Sequence, residues 1–161
     1  MRNIFLIVFL GIAIISCDSN RVFDEYKSLD NDIWLKKKPV SFNVQVDDTI
    51  TTNNLFINLR NNKEYEFSNL FIIAQINFPD GFRVIDTLEY EMTDKEGNFL
   101  GTGYTDIKEN KLFYKENVRF NQQGQYTIKV EQAMRKIGNI QALDSLRGVT
   151  DLGFRIEAIN H

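Results

Sequence analysis

An all-β fold, an antiparallel β-sandwich of jelly-roll or immunoglobulin-like type, is what this 161-residue sequence predicts. Three observations carry that expectation. Short stretches of strict apolar–polar alternation follow one another down the chain, as strands with one face on a core and one in water require. Thirteen Phe, six Tyr and one Trp supply much of the apolar bulk, and aromatic and β-branched side chains suit a pleated, half-buried surface. Turn signals separate the alternating stretches, without the helical crossovers that would link parallel strands. An up-and-down barrel enclosing a ligand is the second architecture compatible with this pattern.

The chain opens differently. Arg2 precedes an apolar run over residues 4 to 15, followed by Ser16 and the single cysteine, Cys17. That run is too short to cross a bilayer as a helix, which takes about 20 residues, so it reads as the apolar region of an export signal. The ending Ile14-Ile15-Ser16-Cys17 resembles a bacterial lipoprotein box, where the leader is cut before the cysteine and the thiol takes a diacylglycerol. Such attachment also explains an odd thiol in an exported chain with no disulfide partner. One acyl chain binds a membrane marginally, whereas two or three hold it stably. Residues 1 to 16 are therefore expected to be a lipoprotein signal peptide, 17 to 32 a membrane tether, and 33 to 161 the sandwich domain.

In the tether, Val22, Tyr26 and Leu29 fall at i, i+4 and i+7, the spacing of a short amphipathic helix formed on docking. Ile33-Trp34-Leu35 is the first packed element, and Lys36-Lys37-Lys38 is a solvated stretch between anchor and domain. Phe42, Val44 and Val46 share one strand face and Leu55, Ile57 and Leu59 another, with Asp47-Asp48 at the turn between. Residues 69 to 78 are apolar on one face through Leu70, Ile72, Ala74, Ile76 and Phe78, with Phe71 and Ile73 on the other. This is the expected central strand. Pro79-Asp80-Gly81 closes it, because proline presets φ and glycine supplies positive φ.

The next strand covers 84 to 92 with Leu88, Tyr90 and Met92 inward, and 94 to 98 turns around Gly97. Gly101 and Gly103 suggest a bulge or a close backbone approach. Further strands are expected at 112 to 120, 125 to 131 and 152 to 157. Between the last two, residues 134 to 148 break the alternation and read as a short helix or an excursion loop.

Inventory narrows the chemistry. The single histidine is His161, so a His-based triad or a zinc site lacks imidazoles. Neither Gly-x-Ser-x-Gly nor a phosphate-cradling glycine loop occurs. Asp94-Lys95-Glu96-Gly97-Asn98 has its glycine misplaced for a calcium loop and lacks the closing acid, so it reads as a hairpin turn. Glu89 and Glu91 share one strand face and are the sole pairing suited to glycoside cleavage, although ordinary solvated acids look the same. Asp86 shares the inward parity of Val84 and Leu88 and needs a partner such as Arg83. A net charge of −3 with both signs interspersed gives no basic face for nucleic acid. No enzyme, cofactor or metal is expected. Phe99, Tyr104 and Phe113 fall opposite the inward positions and form the candidate partner surface.

Several segments together resemble one family. NNLFINLRNN at 53 to 62, YEFSNLF at 65 to 71, DTLEYEMTDKEGNFLGTG at 86 to 103, IKENKLFYKENVRF at 107 to 120, GQYTIKVEQAMR at 124 to 135 and GVTDLGFRIE at 148 to 157 are similar to the GldH gliding-motility lipoproteins of Bacteroidota. The resemblance implies an envelope lipoprotein required for gliding, with Cys17 as lipid attachment site and other gliding-machinery lipoproteins as partners. It brings no catalytic motif. A non-catalytic assembly or stabilising component is the expected role, and a glycan- or small-ligand-binding envelope module is the alternative.

Asp48-Thr49-Ile50, Asp86-Thr87-Leu88 and Asp144-Ser145-Leu146 resemble the O-glycosylation sequon of Bacteroidota, which makes Thr49 and Ser145, both in expected loops, candidate glycan sites. Asp18-Ser19-Asn20-Arg21 lacks an acidic run like the surface-export signal of Bacteroidota lipoproteins. The expected location is thus the outer membrane, facing the periplasm.

Overall fold

The computed structural model describes residues 20–136, 138 and 140–159. The expected leader and Cys17 lie outside the described residues. Ten strands follow in order: β1 Arg21–Ser28, β2 Ile33–Leu35, β3 Val40–Val46, β4 Asn53–Asn61, β5 Asn69–Asn77, β6 Arg83–Glu91, β7 Lys108–Val118, β8 Gly124–Gln132, β9 Ser145–Arg147 and β10 Val149–Ala158. A single 3-10 turn occupies Asp30–Asp32.

Two four-stranded antiparallel sheets carry the fold, one ordered β1-β10-β4-β7 and the other β3-β8-β5-β6, with a small ribbon of β2 and β9. Among the eight long strands the first pairs with the last (β1 with β10), the second with the seventh (β3 with β8), the third with the sixth (β4 with β7) and the fourth with the fifth (β5 with β6). That nesting is a long hairpin rolled over on itself, the jelly roll. It decides between the two expected sandwich types, and the sheets do not close into a barrel.

The inward residues are those the alternation marked. Phe42, Leu55, Ile57, Leu59, Leu70, Ile72, Ala74, Ile128, Val130, Leu152, Phe154 and Ile156 are buried, and Phe42 stacks on Phe154 between the sheets with ring centroids 6.1 Å apart. Each fully buried side chain of this size stabilises the fold by about 1.5 to 3 kcal/mol. β5 lies between β6 and β8, the central position expected for it.

Strand directions give the sandwich two distinct ends. At the near end β1 begins, β10 ends, and three short connections, 47–52, 78–82 and 119–123, link β3 to β4, β5 to β6 and β7 to β8. At the far end the connections 62–68, 92–107 and 133–144 are longer, and the β2–β9 ribbon lies over the opening. There Trp34 pairs with Leu146 and both are buried. Gly148 has φ +80°, and a Cβ on it would overlap the Tyr65 backbone nitrogen, so no other residue fits this corner.

Four expectations are corrected or resolved. The helix expected from Val22, Tyr26 and Leu29 is strand β1, paired with β10 from Arg21 to Ser28. Its inward-parity residues Glu25 and Lys27 are charged, pair with each other at 3.5 Å on the sheet edge, and so hide the alternation. The lysine triplet does not separate anchor from domain but forms the β2–β3 turn, closed by the Lys38 N–H donating to Leu35 O at 3.0 Å. Residues 134 to 148 contain no helix among those described; they form the excursion loop and β9. Asp86 is partnered not by Arg83 but across the sandwich edge by Lys115 Nζ at 2.9 Å and Tyr114 Oη at 2.7 Å. Partial burial pushes its carboxyl up, and the Lys115 and Tyr114 hydrogen bonds with the Lys115 charge outweigh that and hold it below the usual carboxylate range. Tyr90 Oη also donates to Phe113 O at 2.7 Å, so three side-chain contacts lace β6 to β7 where no backbone ladder runs.

Candidate functional site

The three aromatic residues of the expected partner surface do not form one patch. Phe99 and Tyr104 lie in the 92–107 connection at the far end. Phe99 is half-buried with its ring edge-on to Tyr65, centroids 6.4 Å apart, so it belongs to the closure of that end. Tyr104 is fully exposed, and Leu100 and Ile107 beside it in sequence are exposed too. Backbone bonds brace this connection: the Asp94 N–H donates to Asn98 O at 2.9 Å, the Leu100 N–H to Met92 O at 3.0 Å, and Thr102 and Glu109 exchange two bonds of 2.8 Å. The Asp94 carboxylate accepts the N–H groups of Glu96 and Asn98, so the hairpin turn expected at 94 to 98 is present. Gly101 and Gly103 mark the close approach expected of them, since a Cβ on Gly101 would come within 2.8 Å of Asn110 Oδ1 and one on Gly103 within 2.6 Å of Ile107 O.

Phe113 sits elsewhere, midway along β7 on the outer face of its sheet. Its ring meets Phe56 edge-on at 5.5 Å, and Lys111 Nζ lies 4.1 Å from the Phe56 centroid. Around this pair runs a lattice of alternating charge. Arg155 bonds Asp24 and Glu157 at 2.6 Å each, and Lys111 bonds Glu157 at 2.7 Å. Further along, Arg60 bonds Glu109 at 2.9 Å and stacks 4.2 Å over Tyr26. Tyr26 lies where Gly153 offers no side chain. Burial first, and then its hydrogen bond to Glu109, push its phenol up to about 12. Tyr26, Arg60 and Glu109 were not marked by sequence, because each becomes meaningful only through a neighbour on another strand. This face is self-satisfied: its charges are matched within the sheet.

The carboxylate pair Glu89 and Glu91 lies exposed on β6, where Glu89 Oε1 accepts from Asn69 Nδ2 at 3.0 Å. Among the described residues no three His, Cys, Asp or Glu side chains converge to hold a metal ion. Thr49 is half-buried in the 47–52 connection at the near end, and Ser145 is exposed at the start of β9 at the far end.

The near end carries three exposed apolar residues, of which the sequence singled out only Val22, and that as part of a helix. Val22, Ile50 and Phe82 are 58%, 80% and 61% exposed there. Val22 occupies the bulge where β1 slips register against β10 between Arg21 and Phe23. Ile50 and Phe82 each follow an aspartate by two residues, and the signal available in sequence was that shared spacing.

The chain is 47% identical over 155 residues to the "Gliding motility lipoprotein GldH homolog" of Christiangramia forsetii, spanning 96% of this chain and 94% of that one. It is 46% identical over 157 residues to the "Gliding motility lipoprotein GldH" of Flavobacterium johnsoniae, spanning 98% and 97%. Among solved structures, the infectious bursal disease virus VP2 subviral particle aligns at 17% identity and TM-score 0.39 over 87% of this chain and 33% of that one. The Aeromonas sobria serine protease and chaperone complex aligns at 10% identity and TM-score 0.36, over 96% and 29%. Neither likeness is close enough to bear on function. The GldH lipoprotein family model matches residues 21–156, from the first residue of β1 to within β10, and the chain belongs to the GldH lipoprotein family.

Proposed function

We propose that this jelly roll is a non-catalytic assembly or stabilising component of the gliding machinery, held by acylated Cys17 on the periplasmic side of the outer membrane. Residues 1 to 16 are the leader, and its partners are other lipoproteins of that machinery. The gliding role is supported by two relatives spanning almost the whole chain, both named as gliding motility lipoproteins. The observation that carries the binding role is the far end, where Leu100, Tyr104 and Ile107 stand exposed on a connection pinned by backbone bonds. Exposed apolar and aromatic side chains are what a protein partner buries at the centre of an interface. The outer face of the β1-β10-β4-β7 sheet, with its charges already matched, would give up ion pairs on binding.

The experiment is a pair of variants expressed in a gliding host. Cys17→Ala, exported behind a leader that is cleaved without acylation, leaves the circular dichroism of the domain unchanged, moves it from the membrane to the soluble fraction and abolishes gliding. Tyr104→Ser with Leu100→Ser stays on the membrane, folds, and stops gliding. A Cys17→Ala protein that still sediments with membranes in high salt contradicts the anchor. Normal gliding by the far-end double variant contradicts the binding role.

A further inference from the structure

The near end of the sandwich is where the chain leaves for the membrane, and it is tipped with apolar side chains. Asn20 is strapped to the fold, its carbonyl accepting the Ala158 N–H at 2.8 Å. Only residues 18 and 19 separate it from Cys17, and three residue steps span at most about 10 Å. The long strands rise about 3.3 Å per residue, so the nine residues of β4 set the far end roughly 30 Å away. On the reading that Cys17 carries the lipid, the short chain keeps the near end at the bilayer surface and the far end out of its reach.

Two connections there share one device. In 47–52 the Asp48 carboxylate accepts the Ile50 N–H at 2.7 Å, the Thr51 N–H at 3.0 Å and the Thr51 hydroxyl at 2.5 Å. In 78–82 the Asp80 carboxylate accepts the Phe82 N–H at 3.0 Å and the Gln122 amide at 2.6 Å. Each aspartate folds back into its own loop, and the apolar residue two positions on is presented outward. Phe82 braces one ring edge on Phe78, centroids 5.4 Å apart, and leaves the rest exposed. Arg21, Arg83 and Arg119 stand exposed at the same end among the exposed Asp47, Asp48 and Asp80, and guanidinium groups suit lipid phosphates.

We propose that the near end docks into the lipid interface through Val22, Ile50 and Phe82, so that the sandwich stands on the membrane with its strands upright. The occupant of this patch is the lipid surface into which the anchor inserts. Of the outer sheet faces, one carries the matched charge lattice, and the other carries exposed Ile85 beside a polar row in which Gln75 bonds Asn77, Asn77 bonds Thr127 O and Thr127 bonds Asn43; the short chain to Cys17 holds the near end, not these faces, at the bilayer. Docking fixes orientation and adds to the hold of the acyl chains, as interfacial aromatic and aliphatic side chains do when sunk about 5 to 10 Å into the boundary layer.

The test uses full-length acylated protein extracted from its host and reconstituted in phosphatidylethanolamine–phosphatidylglycerol vesicles containing lipids brominated high on the acyl chain. Trp34 is the one native tryptophan and sits at the far end, so wild-type emission is the internal reference and its unchanged spectrum reports the fold. The added emission of Phe82→Trp, and separately of Ile50→Trp, is expected to fall at least about twofold on bromination while Trp34 emission does not. Protein that floats with the vesicles but whose added tryptophans are quenched no more than Trp34 overturns the docking and leaves the anchor standing. Protein that fails to float overturns the anchor, and the docking that rests on it.

Discussion

Compare the two ends of the sandwich. At the near end the connections are five or six residues long, two aspartates cap their own loops, and the apolar tips Ile50 and Phe82 stand out from turns, Phe82 with one contact to Phe78. At the far end the connections run to 16 residues between β6 and β7, a ribbon of β2 and β9 plugs the opening with Trp34, and Met92 and Met134 in the connections are buried. The difference teaches that exposed apolar residues at the two ends are independent of one another in origin. Those at the near end are presented by local hydrogen bonding. Those at the far end ride on a tertiary closure made of distant segments, and stability and function are therefore coupled there and separable at the near end.

The largest expected effect breaks the far-end closure itself. Gly148→Ala forces a Cβ against the Tyr65 backbone at φ +80° and is expected to cost more than about 3 kcal/mol by denaturant unfolding. A loss under 1 kcal/mol would mean that the corner is not tightly set. Trp34→Ala empties the plug and should cost about 3 to 5 kcal/mol. Trp34→Phe separates bulk from polarity: Trp34 Nε1 has no hydrogen-bond partner among the described residues, so this change should cost less than about 1.5 kcal/mol, with no broken bond added to the lost volume.

Between the ends, Asp86→Ala removes the partner of the buried Tyr114 hydroxyl and of Lys115, and should cost about 1 to 3 kcal/mol at neutral pH. The pH dependence has a definite sign. The folded-state pKa of Asp86 is depressed, so its contribution is fully present above the unfolded value near 3.9 and is lost as pH falls through the folded value. The gap between wild type and Asp86→Asn, followed by thermal melting, should narrow only in that acid window. The smallest effects on stability come from Phe82→Ser, about 1 kcal/mol through its lost contact with Phe78, and Ile50→Ser, within about 0.5 kcal/mol of wild type. Their consequence is for membrane orientation, and a large loss of stability would place them in the core instead.

Much of the core was legible in sequence because antiparallel strands with one wet face must alternate. β3, β4, β5 and β8 were read within a residue or two of their bounds. β1 was not, since an edge strand with Glu25 and Lys27 at inward parity loses the period-two signal while Val22, Tyr26 and Leu29 mimic a helical one. The tether expected to reach residue 32 therefore contributes a whole strand to the sheet. The start of β7 was missed by four residues, because Lys108 and Asn110 are polar at inward positions. Asn110 is buried and bonds Asn61 at 2.8 Å and Leu59 O at 3.2 Å, a pairing set by strands far apart in the chain. Of the surface residues, Tyr104 was marked by its parity opposite the inward positions and stands exposed on a loop, Phe99 was marked in the same way but is covered by Tyr65, and Ile50 and Phe82 escaped because single apolar residues in turns carry no period.

Site-specific photocrosslinking in gliding cells, with one photoreactive residue at position 104 and another at position 82, tests the central claim that the two ends face different surroundings. The account predicts that position 104 captures a lipoprotein of the gliding machinery and position 82 captures lipid. Lipid at position 104, or a gliding-machinery protein at position 82, would contradict it.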